Sequence, residues 1–466
     1  MGEPMNRIHW VHGLLMLTLA AMTAVAQQRT VRLGLIPPSP VTDKITLDIR
    51  GAIQNDGSLS LTYKASLYLD RETPEGLLCT QQLAVLAHAS SGIYCRHSTA
   101  GWAGTHTIIL VVRGAGGSIR AKRELEVLAS DVRSTRTIGG AWAGIVHWSE
   151  EEGRYWNADL RKLTDGDWLQ QIRGMHDLGM NTVVIQEVFR NQAYYNPATE
   201  GGKPAYAGLA YYPSALYPGR MQMASPDSIE AILTEADRLH MQVFLGVGMY
   251  GWFDFSGESL TWHKQVAEEL WHRYGRHASF YGWYVSEEAY GNLIPDQGKQ
   301  AAAQYRREMI RFFAEFQAFC RSLAPEKPVM LAPNTLGLME SKDVWPQILA
   351  HVDIICPFAF ARMPEGDLTS DQAASLWQEM CDKSGSHLWM DLEAFSFEGP
   401  ALIPRPIDGV AGDLQRFTAF EKVLCYQYPG LFNSPESRIK PGGAATVKLY
   451  RDYQEYRRRL AQTTQK

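Results

Sequence analysis

The sequence predicts an α/β protein: a (β/α)8 (TIM) barrel preceded by a small antiparallel β-sandwich. Two rhythms and the place where they meet carry this reading. From about Val31 to Val127, short runs alternate apolar and polar residues between turn signals. After the polar stretch Ser130 to Arg136, the chain repeats apolar strand, loop and amphipathic helix to its end. The expected segments are therefore a leader over 1–26, an immunoglobulin-like sandwich over 30–130 and a barrel over 137–466.

The leader has the weakly basic residues Arg7, His9 and His12, an apolar run from Leu14 to Ala20, and the small residues Ala24-Val25-Ala26. Those are the three parts of a secretory signal peptide, with cleavage expected after Ala26. The run falls short of the roughly 20 apolar residues that a membrane span needs. Every later apolar run is broken by Gly, Pro or a charge. A secreted or periplasmic protein with no stable membrane insertion is expected.

In the sandwich region, Ile45 to Ile49, Leu59 to Tyr63 and Thr107 to Val112 read as strands, with Asn55-Asp56-Gly57 as a turn. A spacer or packing role is expected of it. Export permits disulfides among the six cysteines, and Cys79 and Cys95 could bridge two strands or remain free thiols. None of the six has metal-ligand CxxC spacing.

Eight barrel strands are read over Gly140 to His147, Thr182 to Glu187, Gln242 to Met249, Tyr281 to Ser286, Pro328 to Ala332, Val352 to Phe358, Leu388 to Glu393, and Val423 to Tyr428. Most are continuous apolar runs, as parallel strands covered by helices require. Helical patterns follow Ser225-Pro226, where serine can cap, and occupy about Gln300 to Leu323 and Ala445 to Leu460. An open doubly wound sheet would carry a Gly-rich phosphate turn after its first strand, and Ala143-Gly144-Ile145 is no such turn.

Barrel chemistry gathers where the strands end. The residues there are His147-Trp148, Gln186-Glu187, Tyr250-Gly251-Trp252, Ser286-Glu287-Glu288, Asn334, Phe358 to Arg362, Asp391-Leu392-Glu393 and Tyr426-Gln427-Tyr428. Carboxylates thus end strands two, four and seven, within a ring of aromatics. That mixture suits sugars, whose apolar faces stack on flat rings and whose acetals are cleaved by one protonated and one ionised carboxyl group. Strands three apart in such a barrel bring facing glutamates to about 5 to 7 Å, so Glu393 could pair with Glu288 or with Glu187.

The segment Tyr281-Gly282-Trp283-Tyr284-Val285-Ser286-Glu287-Glu288-Ala289 resembles the fourth strand of clan-A glycoside hydrolases, and Trp389 to Phe395 resembles their seventh. More broadly, Gly139 to Tyr428 is similar to an uncharacterised family of secreted glycosidase-like barrels, often preceded by a β-sandwich. The resemblance implies Glu288 as acid/base and Glu393 as nucleophile. It implies substrate binding by His147. Glu287 stands where clan A has Asn, and Ala289 where it has Pro. Phe358 and Phe360 replace its usual strand-six Tyr, and Tyr426 and Tyr428 its strand-eight Trp.

Each residue has a plainer alternative. Glu393 could pair with Arg362 or Arg190, and Glu287 and Glu288 cannot both face inward from an unbulged strand. Glu187 reads as a substrate-side or supporting residue, Asp391 as a support for Glu393, and Asn334 as a further contact. Trp148, Trp252, Tyr426 and Tyr428 read as stacking candidates, or as loop packing. The Tyr194-Tyr195 and Tyr211-Tyr212 pairs flank a long insertion that could shape a cleft.

The expected function is hydrolysis of a glycosidic bond by a retaining two-glutamate mechanism. The rival is a non-catalytic glycan-binding protein, and a purely structural envelope protein would leave the aromatic rim without a use. No metal or organic cofactor is implied, since Ile145-Val146-His147 lacks the His-x-His of metal-dependent barrels. The partner expected is an oligo- or polysaccharide. A net charge of −5 offers no footprint for nucleic acid.

Overall fold

A computed structural model describes residues 29–191, 208–217, 219–247 and 254–464. The leader, Tyr194, Tyr195 and Trp252 lie outside the described residues.

Two sheets form the N-terminal part. Arg29–Ile36, Thr46–Asn55 and Ala89–Ser98 make one, in antiparallel register. The other orders Val41–Thr42, Gly117–Leu128, Gly104–Gly114, Leu61–Leu69 and Leu77–Val85. Their inward residues, among them Leu47, Ile49, Leu67, Leu110 and Leu125, are fully buried together. Asn55 accepts from the Gly57 N–H and donates to Leu59, Val85 and Leu86 carbonyls, which fixes the expected turn. All six cysteines are free thiols. Those of Cys79 and Cys95 lie in hydrogen-bond contact.

The barrel strands are β1 (Ile138–Ala143), β2 (Thr182–Ile185), β3 (Gln242–Gly246), β4 (Phe280–Val285), β5 (Val329–Leu331), β6 (Ile354–Ile355), β7 (His387–Glu393) and β8 (Lys422–Tyr426). They pair in chain order, all parallel, and β8 closes onto β1. Every one overlaps an expected run, although β1 starts before Gly140 and ends at Ala143, short of the expected His147. Each strand sends side chains into the interior, among them Trp142, Val184, Phe244, Tyr284, Met330, Ile354, Trp389 and Leu424. Their neighbours Ala141, Val183, Val243, Trp283, Val329, Ile355, Met390 and Val423 face the helices. Both faces are buried, so the runs are apolar throughout rather than alternating.

Helices follow each strand: α1 (Asp165–Asp177), α2 (Ser228–Arg238), α3 (Gly257–Tyr274), α4 (Ala302–Leu323), α5 (Trp345–Leu349), α6 (Ser370–Ser384), α7 (Ile407–Arg416) and α8 (Ala444–Thr464). Reciprocal capping boxes start α1 at Thr164 and Asp167, and α6 at Thr369 and Gln372. The cap of α2 is Asp227, which accepts from the Glu230 N–H. Ser225, expected in that role, instead donates to Asp165. A carboxylate one residue from the first turn outcompetes a serine three residues away.

The sandwich plugs the foot of the barrel. Ile36 joins the interior cluster, and the Tyr281 hydroxyl donates to the Leu35 carbonyl at 2.7 Å. Buried ion pairs Arg50–Asp353 (2.7 Å) and Arg32–Glu326 (2.6 Å) tie the two parts together. The mouth lies at the strands' C-terminal ends, at the other end of the barrel from this contact. Among the described residues, no helix is long and apolar enough to cross a membrane.

Candidate active site

Contacts rather than strand parity locate Glu288: β4 ends at Val285, and beyond it Glu288 accepts from Asn334 and feels Arg362 and Glu393. On β7, Trp389 points inward, and Asp391 and Glu393 follow on the same face. Both are about 6% exposed.

Glu287 is fully buried next to Glu288, and the Tyr305 phenol on α4, raised first by its own burial, feels both charges.

Glu288 is held by Asn334, just past β5. The Asn334 Oδ1 accepts from the Gly291 and Leu336 N–H groups, which turns its Nδ2 toward Glu288 Oε1 at 3.1 Å. Burial pushes the Glu288 carboxyl up to about 7, against the pull of Asn334 and Arg362 and with help from Asp296 and Glu393. Glu393 has a stronger partner. Arg362, from the short helix after β6, donates through Nε at 2.7 Å and Nη2 at 2.5 Å to the same oxygen, Oε1. Burial still raises the Glu393 pKa, and Arg362 and Arg405 oppose it. One acid therefore has a single neutral donor and the other a guanidinium. That difference favours a protonated Glu288 beside an ionised Glu393.

Further acids crowd the same space. Asp391 is driven well above its ordinary range by burial and by Glu393, and its Oδ1 has no hydrogen-bond partner among the described residues. Glu152, in the loop after β1, is pushed up to about 7 by burial and by Glu288. Arg362 bears electrostatically on all four acids. Glu152 does not follow from strand ends, because it comes from a loop with no periodic pattern, whereas Arg362 pairs with Glu393 as one of the plainer alternatives for that residue has it.

Tyr426, at the end of β8, stands in the middle of the acids. Its phenol feels Glu152, Glu187, Asp391 and Tyr284, and its oxygen is buried without a partner among the described residues. Its ring meets His147 at 5.9 Å, Trp142 at 6.4 Å and Phe395 at 6.2 Å. His147 is buried beside it, with Nε2 3.6 Å from Glu152, and Trp148 lies half-buried against His147. Glu187 accepts from the Tyr211 hydroxyl at 3.1 Å, while Tyr212 donates to Glu269. Both rings of that tyrosine pair are buried, and most of the insertion they flank lies outside the described residues.

Tyr428, expected as a stacking residue, is a correction. It lies in the outer core, stacked on Phe432 with its hydroxyl against Gly174, where a Cβ would come within 2.1 Å of the phenol oxygen. The strand ends at Tyr426, and alternation stops with it. Gln427 turns in toward Gly144, whose N–H it accepts at 3.3 Å.

A model described as a domain of unknown function, DUF4434, matches residues 138–439, from the first barrel strand to the loop before the last helix. The chain belongs to the DUF4434 family. None of the curated proteins matches it in sequence. Among solved structures, it is similar to Bacteroides uniformis beta-glucuronidase 2 covalently bound to cyclophellitol-6-carboxylate aziridine, at 10% identity and a TM-score of 0.39, over 86% of this chain and 45% of that one. A GH2 beta-galacturonidase from Eisenbergiella tayi bound to galacturonate is 11% identical, with a TM-score of 0.41, over 91% and 71% of the two chains. A putative beta-galactosidase from Bacteroides fragilis is 10% identical, with a TM-score of 0.35, over 85% and 54%. The family member spans about half the length of the Bacteroides enzymes.

Proposed function

We propose that this protein is a secreted glycoside hydrolase that cleaves a glycosidic bond with retention of configuration. The observation that carries the reading is the convergence of Glu288 and Glu393, from the fourth and seventh strands of a closed barrel, on one guanidinium, with Glu288 pushed up to about 7. Glu288 Oε2, the oxygen that Asn334 leaves free, gives its proton to the leaving oxygen. Glu393 attacks the anomeric carbon through Oε2, because Arg362 occupies Oε1. The ionised Glu288 then takes a proton from water as that water displaces Glu393 from the sugar. Tyr426 and Trp148 offer ring surface, and Asp391, Glu152, Glu187, His147 and Asn334 line the space for hydroxyls.

The test is a panel of aryl glycosides with wild type, Glu288→Gln and Glu393→Gln, the anomer first released being read by NMR. A 2-fluoro glycoside of any sugar that is turned over should label Glu393. Label elsewhere, or undiminished turnover by Glu393→Gln, overturns the mechanism.

The Arg362–Glu393 contact favours one other reading, a glycan-binding barrel whose nucleophile position is tied up in an ion pair. It predicts that wild type binds sugars without turnover.

A further inference from the structure

Of the large apolar side chains on the described surface, few are more than two-fifths exposed, and two of those, Phe397 (48%) and Tyr155 (45%), sit together beside the mouth. Phe397 belongs to a hairpin, Phe395–Glu398 with Ala401–Pro404, that leaves β7 directly after Glu393. Phe395 and Phe397 alternate onto one face of it. Their rings are 5.4 Å apart, and Phe395 meets Tyr426 at 6.2 Å, so a continuous aromatic path runs from the centre of the site to solvent.

The path is anchored at both edges. The Arg362 guanidinium lies over the Phe397 ring at 5.8 Å, while the Tyr155 hydroxyl donates to Glu398 at 2.5 Å. The Leu402 N–H donates to the Glu152 carbonyl, joining the hairpin to the loop that carries a site acid. An exposed flat ring flanked by a carboxylate and a phenol offers a pyranose both an apolar face and partners for its equatorial hydroxyls.

We infer that this hairpin is a sugar subsite outside the cleavage point, with Phe397 as its platform and Glu398 and Tyr155 at its edge, so that the substrate is an oligosaccharide rather than a single terminal sugar on a small leaving group. The inference rests on the glycosidase reading.

Its test is calorimetric titration of the full-length Glu288→Gln protein with neutral and acidic oligosaccharides of one to four units, beside turnover of the same compounds by wild type. Affinity should rise with chain length. Phe397→Ala should remove that rise, about tenfold for one aromatic contact, and leave single-sugar affinity unchanged, whereas Phe397→Trp should keep it. Equal affinity of Phe397→Ala and its parent for the longer sugars, with turnover intact, overturns the subsite and leaves the glycosidase reading standing. Neither binding nor turnover of any compound overturns both. A dimer in sedimentation that Phe397→Ala dissolves would assign the patch to a second copy of the chain instead.

Discussion

Asp353 at the foot of the barrel and Glu288 at its mouth are both carboxyl groups withdrawn from water at the end of a strand, and the barrel treats them oppositely. Asp353 receives Arg50, Arg321 and Gln317 on one oxygen and the Val329 N–H on the other, at 2.7 to 3.1 Å. Burial alone would raise its pKa, but the two arginines hold it below the ordinary range. Asp48 nearby, facing His387, Arg50 and Arg96, is held at about 2 against the same burial. Glu288 has one amide donor and is left at about 7. Charge-assisted hydrogen bonds contribute about 1.5 to 3 kcal/mol each and desolvation of an ion costs several, so the number of donors decides the outcome. The foot spends its arginines on holding two modules together; the mouth keeps its acids unsettled, as proton transfer near neutral pH requires.

The comparison can be broken in several ways, beginning with the largest effect. Glu393→Gln should lower kcat about ten-thousand-fold on any glycoside the wild type turns over, with little change in Tm, since a nucleophile is lost and no buried ion is stranded. Asp353→Ala should do the reverse. It takes from Arg50 the nearer of its two carboxylates, leaving Asp48, and should cost about 3 kcal/mol in urea unfolding, while activity per folded molecule stays near wild type. A large activity loss there would mean that the foot and mouth are not separate in role.

The pH dependence sharpens the contrast. Glu288 has a raised pKa, so its ionisation is a penalty absent below the ordinary value near 4.5 and fully present above about 7. Glu288→Gln should therefore raise stability at pH 8, by up to about 3 kcal/mol, and change it little at pH 4.5. His387 has the opposite sense of use. Burial would lower it, yet Glu421 and Asp48 hold it at about 9, so its contribution is present below pH 6.5 and lost as pH rises through 9. His387→Gln should cost about 2 kcal/mol at pH 6.5 and little at pH 10, measured by thermal unfolding. The activity of wild type should fall above pH 7 as Glu288 loses its proton.

Much of this arrangement can be read in advance. Eight apolar runs, each long enough for one strand, announce the barrel, and the residues where they stop include Glu288, Asn334, Glu393 and Tyr426. That Glu288 is the acid met by Asn334 and Arg362 is different in kind, since it lies beyond the end of β4 and loop contacts fix it. Tyr428 misleads for a related reason, since strand periodicity has no authority once the strand has ended. Glu152 and the Phe395–Phe397 hairpin come from loops, whose course depends on what they pack against.

By itself the sequence determined the strand rhythm, the closed barrel and the pair of strand-end glutamates, because burial on two faces and alternation on a pleat act over a few neighbouring residues. Only the tertiary structure decided that Glu288 meets Asn334, which of the alternatives open to Glu393 is realised, and that four acids share one cation. Those facts depend on groups as far apart in the chain as Glu152 and Glu393, whose meeting is set by barrel closure and not by any local pattern.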